Sequence, residues 1–466
     1  MLSFFRINDP LRLIGVFIIF IIIRIVFFFQ IPPILIPELN WLIIGEKLGG
    51  GAIMYVDVWD NIAPFSALVY WILYEIVGNS LITYHILAMT LVFIQAAVFN
   101  QMLLKKNMYS EKNYLPALLY VLFSCSSFDM LTLSPPLLSL TFLLLVIRNI
   151  LSLSENAFDN EIFKTGLYLG IAILLYLPSF VFIAFIALGF TLFRTASIRQ
   201  YLLFVYGISF VFSLVVLYYL WIGGLDSFLQ NYLFTVLNID FSSHLSWQTL
   251  VIVMFVPTLF LVFGLMRVFA ETAFINFQSN TQLLLLIWLA TALLTNLFAT
   301  TFATYQLILL APTFSLFVTY FFLLYKKRFL KELLFFILLI GTGLSGYWSC
   351  FPLGKLRNYV SYSAVIAKKP ADFTVSNKRI LVLGKDKSYY YGNQMATPYL
   401  NWELSQAHFA NLEYYSGMVA VYENLQKDMP EVIIDDSGVG NQIFSKIPIL
   451  QGFYTQKGNL YFLKKK

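Results

Sequence analysis

Residues 11–30, LRLIGVFIIFIIIRIVFFFQ, decide the fold, because they form an apolar run long enough to cross a membrane as one helix. A helix rises 1.5 Å per residue, so roughly 20 apolar residues span the hydrocarbon core of a bilayer. Arg6 and Arg12 stand at the start of the run, and no small-x-small cleavage site follows it. The stretch therefore predicts a retained signal anchor rather than a cleaved signal peptide.

Apolar runs of similar character recur along most of the chain. Of the 466 residues, 59% are hydrophobic and 12% are charged, whereas a soluble domain carries about 25% charged residues. This composition predicts an all-α polytopic membrane protein with about 11–13 transmembrane helices. Proline 178 separates two short runs and predicts a break or kink between them. The further predicted runs are 64–79, 81–104, 115–131, 135–152, 165–177, 179–194, 201–222, 247–269, 283–300, 303–325 and 333–352.

Lysines and arginines cluster in short loops, and basic loops of a membrane protein face the cytoplasm. This rule predicts a cytoplasmic N-terminus in a bacterial cytoplasmic (inner) membrane. It places 31–63, 223–246 and everything after about residue 353 outside. The stretch 64–79 then becomes a re-entrant or interfacial segment, unless the rule fails locally. The net charge of +6 comes largely from these loop lysines and arginines, which orient the protein in the membrane, so no nucleic-acid partner is predicted. The orienting residues are Lys105, Lys106, Lys112, Arg148, Arg194, Arg199, Arg267, Lys326, Lys327, Arg328 and Lys331.

From about residue 375 the sequence takes on the pattern of a small α/β domain. Residues 378–384 and 430–436 predict two strands, and 399–427 predict helical structure between them. Residues 452–463 predict a hairpin that turns at Lys457-Gly458-Asn459. We therefore predict three parts: a polytopic transmembrane domain 1–353 with an outer loop 31–63, a linker 354–374, and an extracytoplasmic (periplasmic) α/β domain 375–466.

Several familiar motifs of metal and nucleophile chemistry are absent from the sequence. It contains no HExxH, CxxC, GxSxG or Walker-type glycine loop. Cys125 and Cys350 lie far apart, in or beside apolar segments, and predict neither a disulfide framework nor a metal site. The glycines at 49–51 have no following Lys-Ser/Thr and indicate a sharp chain reversal instead of a phosphate loop.

The polar stretch 37–65, PELNWLIIGEKLGGGAIMYVDVWDNIAPF, lies between the first two apolar runs and holds the main candidates for a site. Glu38, Asp57 and Asp60 are the candidate catalytic residues, because a carboxylate can serve as a general base. The structural alternative for Asp57 and Asp60 is hydrogen bonding within a tight loop. For Asp60 a further alternative is the N-cap of the next helix.

Two basic residues are candidates for binding substrate. Arg24 lies inside the first apolar run, where a charge is costly without a partner. We interpret it as a ligand of a lipid phosphate or a partner of Glu38, and the alternative is that it snorkels to the headgroups. His244 lies in the outer segment 223–246 and is interpreted as a substrate-binding residue or part of a lid.

The order Glu38, Tyr55-Val-Asp57 and Pro64 resembles the first outer loop of GT-C superfamily membrane glycosyltransferases, which use lipid-phosphate sugars. Protein O-mannosyltransferases and lipid A aminoarabinose transferases belong to this superfamily. Its typical loop has Asp-Glu near the start, then Tyr-x-Asp and Lys-Pro-Pro-Leu. The segments 166–172 and 305–312 are similar to the family as well. The resemblance implies a GT-C-like fold.

The resemblance also implies a function and further site residues. The implied reaction moves a sugar from a polyprenyl-(di)phosphate donor to an acceptor on the outer face of the membrane. Tyr55, Asp129 and Ser134 would bind substrate, and protein cations or a divalent metal would neutralise the leaving phosphate. The implied partners are membrane lipid and the polyprenyl-linked sugar.

Three positions of this sequence depart from the family pattern. Pro37 stands where the family has an acid, Ala63 replaces the lysine before proline, and Ser134 occupies the position of a second acid. These departures favour an alternative function. The chain would then be a catalytically degenerate GT-C-fold subunit or scaffold, with protein partners in a membrane complex.

Overall fold

The computed structural model describes residues 1–153, 159–193, 197–237, 242–243, 245–271, 274–299, 301–368, 373 and 375–464. Most of these residues are helical. Within the described parts of the chain, twenty α-helices occur: α1 (Leu2–Phe5), α2 (Arg12–Arg24), α3 (Val26–Phe29), α4 (Ile36–Gly49), α5 (Pro64–Val77), α6 (Leu81–Lys105), α7 (Leu115–Ser124), α8 (Pro135–Ser152), α9 (Asp159–Leu175), α10 (Phe182–Phe193), α11 (Ile198–Trp221), α12 (Leu225–Phe228), α13 (Trp247–Ala270), α14 (Asn276–Leu294), α15 (Ala311–Leu324), α16 (Arg328–Cys350), α17 (Trp402–Ala410), α18 (Tyr415–Lys427), α19 (Gly440–Lys446) and α20 (Pro448–Phe453).

Shorter helical turns join these elements. The 3₁₀ segments are Phe128–Leu131, Leu177–Val181, Phe234–Leu237, Thr295–Phe298, Thr304–Leu310, Gly354–Asn358 and Lys387–Tyr390, and Leu229–Leu233 forms a π-helical turn. The predicted break at Pro178 is confirmed: α9 ends at Leu175, and a 3₁₀ turn precedes α10. Proline lacks the backbone donor that would continue the helix.

Seven helical segments in the described residues have the length and apolar composition to cross a membrane. Three shorter apolar helical segments of 10–17 residues accompany them: Pro64–Val77, Leu115–Ser124 and Leu177–Phe193. The chain is therefore a multi-pass membrane protein, as predicted. The seven segments are Leu81–Lys105, Pro135–Ser152, Ile198–Trp221, Trp247–Ala270, Asn276–Phe298, Thr304–Leu324 and Arg328–Cys350.

The chain divides into two compact units, and unit 1 comprises 1–33, 80–215 and 239–365. Its centre contains α7 and α15, which are buried along nearly their whole length because they are apolar on all sides. The Ser315 hydroxyl of α15 donates to the carbonyl of Pro116 in α7 at 2.6 Å. A Cβ at Gly346 of α16 would collide with the carbonyl oxygen of Cys125, so glycine permits this close approach.

Unit 2 comprises 34–79, 216–238 and 366–466. Helices α4 and α5 pack together in it: the rings of Trp41 and Tyr70 stack with centroids 5.6 Å apart. A Cβ at Gly45 would lie 2.7 Å from the carbonyl oxygen of Tyr70. Within the predicted outer loop 31–63, residues 36–49 form helix α4, and the outer position of this segment stays a prediction. The apolar residues Leu39 and 41–44 are buried in that helix, and their burial stabilises it.

A five-stranded sheet lies in the C-terminal part of unit 2, in the order β4 (Gln394–Met395), β3 (Arg379–Leu383), β5 (Val432–Asp435), β7 (Leu460–Leu463) and β6 (Tyr454–Lys457). Strand β3 pairs in parallel with β4 and β5, whereas β7 is antiparallel to both β5 and β6. The predicted strands at 378–384 and 430–436 and the predicted hairpin are confirmed. The strands are β1 (Ser242–Ser243), β2 (Thr301–Phe302), β3 (Arg379–Leu383), β4 (Gln394–Met395), β5 (Val432–Asp435), β6 (Tyr454–Lys457) and β7 (Leu460–Leu463), of which β1 and β2 pair with each other in unit 1.

Helices α17 and α18 pack on this sheet, which confirms the α/β character predicted for the C-terminal part. Their side chains Phe409, Val421 and Leu425 join Leu381 of β3 and Ile433 of β5 in one buried cluster. The domain boundaries at 353 and 375 stay a prediction. In the structure, 34–79 and 366–466 belong to the same compact unit.

Candidate functional site

The turn after α4 determines where the candidate acids lie. Gly51 and Tyr55 adopt φ of 89° and 68°, in the left-handed region that reverses the chain. The Tyr55 hydroxyl donates to the carbonyl of Ile62 at 2.5 Å, and Asn231 donates to the Tyr55 carbonyl at 3.1 Å. Its buried ring packs against three aromatic residues, Tyr219, Phe228 and Tyr232. Tyr55 therefore anchors this turn, and its role in binding substrate stays a prediction.

Glu38 is buried in the first turn of α4. It is 3% exposed, and its Oε2 accepts a hydrogen bond from the backbone N–H of Leu35 at 3.5 Å. This is the arrangement of a capping box, in which the third helical residue reaches back to the N-cap. The contact gives Glu38 a structural role at the helix start, and its catalytic role stays a prediction.

Asp57 joins the turn to the C-terminal part of unit 2. Its Oδ2 accepts from the backbone N–H of Ile53 at 2.9 Å, so the alternative of hydrogen bonding within the loop is confirmed. Its Oδ1 lies 2.5 Å from Nζ of Lys427 at the end of α18. The side chains of Asp57 and Lys427 are 21% and 71% exposed, so this ion pair is accessible to solvent.

Asp60 lies in a buried polar cluster. Its Oδ2 accepts from the Asn40 amide at 3.1 Å and lies 3.3 Å from Nζ of Lys387, while Oδ1 accepts from the backbone N–H of Ile62 at 3.0 Å. The N-cap expectation for Asp60 is wrong, because Ala63 occupies the N-cap of α5. The Asp60 carboxylate instead accepts a hydrogen bond from the backbone N–H two residues further on, at Ile62.

Trp59 holds the 57–60 segment against the C-terminal part of the unit. Its backbone N–H donates to the Pro398 carbonyl at 2.8 Å, and its carbonyl accepts from Asn401 at 3.0 Å. The Trp59 ring packs edge-on against His408, with centroids 4.4 Å apart. Burial lowers the pKa of His408 from its ordinary value, because the charged imidazolium is poorly solvated there.

A cavity of about 620 Å³ opens beside Asp57, within the range of about 300–1,000 Å³ that small-molecule sites occupy. It combines side chains from the turn after α4 with others from β3, α18 and the segment 394–398. Lys47 and Arg379 both pair with Asp428 on its wall, at 2.7 and 3.2 Å. Among the described residues, no group of three or more His, Cys, Asp and Glu could hold a metal ion. The cavity wall carries three carboxylates, three cations, two side-chain amides and two hydroxyl-bearing residues.

Unit 1 contains two further candidates, Arg24 and Asp129. The Arg24 guanidinium donates to the carbonyls of Ser124 and Ser127, and the residue is 1% exposed. The snorkelling alternative is therefore wrong, because the Arg24 guanidinium is buried and donates its hydrogen bonds to backbone carbonyls within the protein. Asp129 is buried, and its carboxylate accepts hydrogen bonds from Ser127, Thr304 and the backbone of Tyr305.

The last two predicted substrate-binding residues are Ser134 and His244. Ser134 is buried at the N-cap position of α8, where its side chain makes no capping hydrogen bond. His244 lies outside the described residues. The substrate-binding roles of Arg24, Asp129, Ser134 and His244 stay predictions.

Sequence reasoning missed the cavity residues that come from the C-terminal part, among them Arg379, Thr397, Lys427 and Asp428. They lie more than 300 positions after Asp57, and nothing in the sequence pattern places them beside it. The one available signal was a mixed charge pattern at the ends of the predicted strands and helix, which is also typical of an ordinary solvated surface.

The helices and the sheet together define the class of the molecule: a polytopic, mainly α-helical membrane protein with a C-terminal α/β region. No protein-family model matches the chain, and no curated protein matches it in sequence.

The chain is similar to two solved structures of ArnT from Cupriavidus metallidurans. The structure with bound undecaprenyl phosphate aligns with a TM-score of 0.49 at 11% identity, over 75% of this chain and 66% of that chain. The apo structure aligns with a TM-score of 0.48 at 11% identity, over 75% and 67% of the two chains. This chain thus spans about two thirds of the ArnT chains.

Proposed function

We propose that this protein is a GT-C-like glycosyltransferase. It moves a sugar from a polyprenyl-phosphate or polyprenyl-diphosphate donor to an acceptor on the outer face of the cytoplasmic membrane. The observation that carries the proposal is the pair of Asp57 and Lys427 on the wall of a cavity large enough for a small ligand. The donor class is the one implied by the resemblance of residues 37–65 to this superfamily.

The proposed reaction needs one base and one cation at the reacting centre. The Asp57 carboxylate takes the proton of the acceptor hydroxyl or amine as that group attacks the anomeric carbon. The bond between the anomeric carbon and the phosphate oxygen breaks, and the electron pair leaves with the lipid phosphate. A cation then stabilises the negative charge on the departing phosphate.

The exposure of Lys427 supports this division of roles. Solvent-exposed ion pairs contribute at most about 1 kcal/mol, so the pair with Asp57 opens at little cost. When Asp57 turns to the acceptor, Lys427 loses its partner and becomes available to the leaving phosphate. Glu38 and Asp60 are less suited to act as the base, because both are 2–3% exposed and bonded within the protein.

Loss of the base tests the proposal. A strain that lacks this gene receives the wild-type protein, Asp57→Asn, or the control Glu403→Gln, and its glycoconjugates are profiled by mass spectrometry. Glu403 is an exposed carboxylate of the same unit, paired loosely with Lys385 at 3.8 Å. We expect Asp57→Asn to lose at least 100-fold in transfer, as removal of a general base does, while the control retains it. Full complementation by Asp57→Asn at equal protein level would refute the proposal.

The outer-face location is tested by cysteine labelling. Ser110→Cys and Lys385→Cys are exposed positions, and Cys350→Ser provides the background. We expect a membrane-impermeant maleimide to label residue 385 and not residue 110 in spheroplasts whose cytoplasmic membrane is intact. Labelling of both residues, or of residue 110 alone, would contradict the orientation.

A divalent metal is the second proposed source of positive charge for the leaving phosphate. Three cationic side chains already line the cavity: Lys47, Arg379 and Lys427. We therefore expect transfer by the purified protein to persist in excess EDTA. A loss that Mg²⁺ or Mn²⁺ restores would assign the role to a metal.

The second candidate function is a catalytically degenerate GT-C-fold subunit or scaffold of a membrane complex. The observation that favours it is that all three candidate carboxylates make hydrogen bonds or ion pairs within unit 2. Affinity purification in mild detergent would then recover stoichiometric protein partners. The variants at Asp57 would also complement as well as the wild-type protein.

A further inference from the structure

Thr397 is held in an unfavourable backbone conformation at the wall of the cavity beside Asp57. Its φ is 67°, in the left-handed region that a β-branched residue rarely adopts. The residues on either side fix this geometry: the Ala396 N–H donates to Ile380 at 2.8 Å, and the Pro398 carbonyl accepts from Trp59 at 2.8 Å. Strain of this kind is maintained by the surrounding structure and concentrates at functional sites.

The Thr397 hydroxyl is buried without a protein partner. The residue is 2% exposed, and its Oγ1 makes no hydrogen bond with the described residues. Buried hydroxyls are nearly always satisfied, so an orphaned one indicates a missing partner. Thr397 lines the cavity, and rotation about its Cα–Cβ bond would turn the enclosed hydroxyl toward a ligand group there.

The charges on the cavity wall balance one another. Lys427 pairs with Asp57, and Lys47 and Arg379 both pair with Asp428. The sixth charged residue, Glu46, accepts a hydrogen bond from Asn79 at 3.0 Å. Three cations thus face three carboxylates, and with these pairs formed the cavity wall has no excess charge to attract an ionic ligand.

The remaining polar groups suit a ligand with many hydroxyls. The side-chain amides of Gln394 and Asn424 line the same cavity as Thr397. The Asn424 Nδ2 donates to the Tyr399 hydroxyl at 2.9 Å, which fixes the orientation of that amide. The Tyr74 ring also lies on the wall and presents an apolar surface. Amides, a hydroxyl and one aromatic ring are the groups that recognise a neutral polyhydroxylated molecule.

We propose that this cavity binds a neutral carbohydrate and that Thr397 is a specificity-determining residue, hydrogen-bonded to a sugar hydroxyl. One part of the inference rests on the proposed function: the carbohydrate is then the acceptor whose hydroxyl Asp57 deprotonates. The binding itself requires no donor and no transfer.

The test is direct binding to the full chain purified in detergent. A printed array of neutral, amino-substituted and phosphorylated oligosaccharides is probed first, and the dissociation constant of the best ligand is then measured by microscale thermophoresis. We expect neutral members to bind. Thr397→Val removes the hydroxyl at nearly constant shape and should weaken binding at least tenfold, whereas Thr397→Ser should stay within threefold of wild type.

The matched control is Thr455→Val, which changes an exposed threonine of β6 in the same unit, outside the cavity lining. It should bind as the wild type does. No binding of neutral oligosaccharides, binding confined to phosphorylated or amino-substituted members, or equal affinity of Thr397→Val and wild type would overturn the inference.

The outcome separates this inference from the proposed function. Carbohydrate binding without any transfer defect in Asp57→Asn would remove the proposed function and leave the binding site. Transfer that depends on Asp57, without affinity for neutral oligosaccharides, would remove this inference alone. A melting temperature for each variant, measured in the same detergent, identifies any loss of binding that arises from misfolding.

Discussion

The Asp57 carboxylate and the Lys427 ammonium lie 2.5 Å apart, although 370 positions separate them in the chain. The pair joins the turn after α4 to the last turn of α18 within unit 2. It stands on the wall of a cavity, and it brings together the two kinds of group that transfer from a lipid phosphate requires.

Removal of the Lys427 charge should impair transfer more than stability. We expect Lys427→Met to lower transfer at least tenfold and to change the free energy of unfolding by at most about 1 kcal/mol, because the exposed pair contributes little to folding. Lys427→Arg should retain most activity, since the positive charge remains. Glycoconjugate profiling and thermal unfolding in detergent measure the two effects. If the loss in free energy of unfolding were as large as the loss in transfer expressed as a free energy, Lys427 would be a structural residue.

Substitution of Lys387, which pairs with the buried Asp60, should impair stability more than transfer. Their side chains are 3% and 19% exposed, so removal of one partner leaves a poorly solvated charge. We expect Lys387→Met to destabilise unit 2 by about 3–5 kcal/mol. The double variant Asp60→Asn/Lys387→Met should recover part of that loss, because no buried charge stays unpaired. Chemical denaturation of the wild type, of Lys387→Met, of Asp60→Asn and of the double variant measures the coupling. Additive effects of the two substitutions would show that the pair carries no interaction energy.

Relief of the backbone strain at Thr397 should stabilise the protein and weaken its ligand binding. Glycine adopts a φ near 67° without steric cost, while a strained residue costs about 1–3 kcal/mol. Part of this gain is offset by the greater freedom of glycine in the unfolded chain. We therefore expect Thr397→Gly to raise the free energy of unfolding by about 1 kcal/mol and to lose carbohydrate affinity. A less stable Thr397→Gly protein would indicate that Thr397 packing outweighs its strain.

The stability of unit 2 should depend on the protonation of His408. Burial lowers the pKa of His408 in the folded state, so the unfolded chain binds the proton more readily. Stability contributed by the neutral imidazole is present above the unfolded pKa of about 6.5 and declines as the pH falls through and below that value. We expect His408→Phe, which keeps a ring against Trp59, to show a shallower decline than the wild type between pH 7 and 5. Equal slopes for the two proteins would contradict this assignment.

The sequence by itself determined the elements of this protein. Runs of apolar residues such as 81–104 and 333–352 predict helices that the structure places at Leu81–Lys105 and Arg328–Cys350. The C-terminal strands and their hairpin follow equally well from short apolar runs and turn residues. These features depend on local composition and periodicity, so they can be read without knowing any contact.

Only the tertiary structure decided which polar groups meet. Helix α4 lies in a stretch that the sequence predicts only as an outer loop, and its apolar residues are buried through contacts within unit 2. The order of the chain likewise gives no distance between Asp57 and Lys427, or between Asp60 and Lys387. The left-handed conformation of Thr397 is fixed by hydrogen bonds of its neighbours to Ile380 and Trp59, which are distant in sequence. A site built from long-range contacts is specified by packing, whereas the helices and strands that carry it are specified locally.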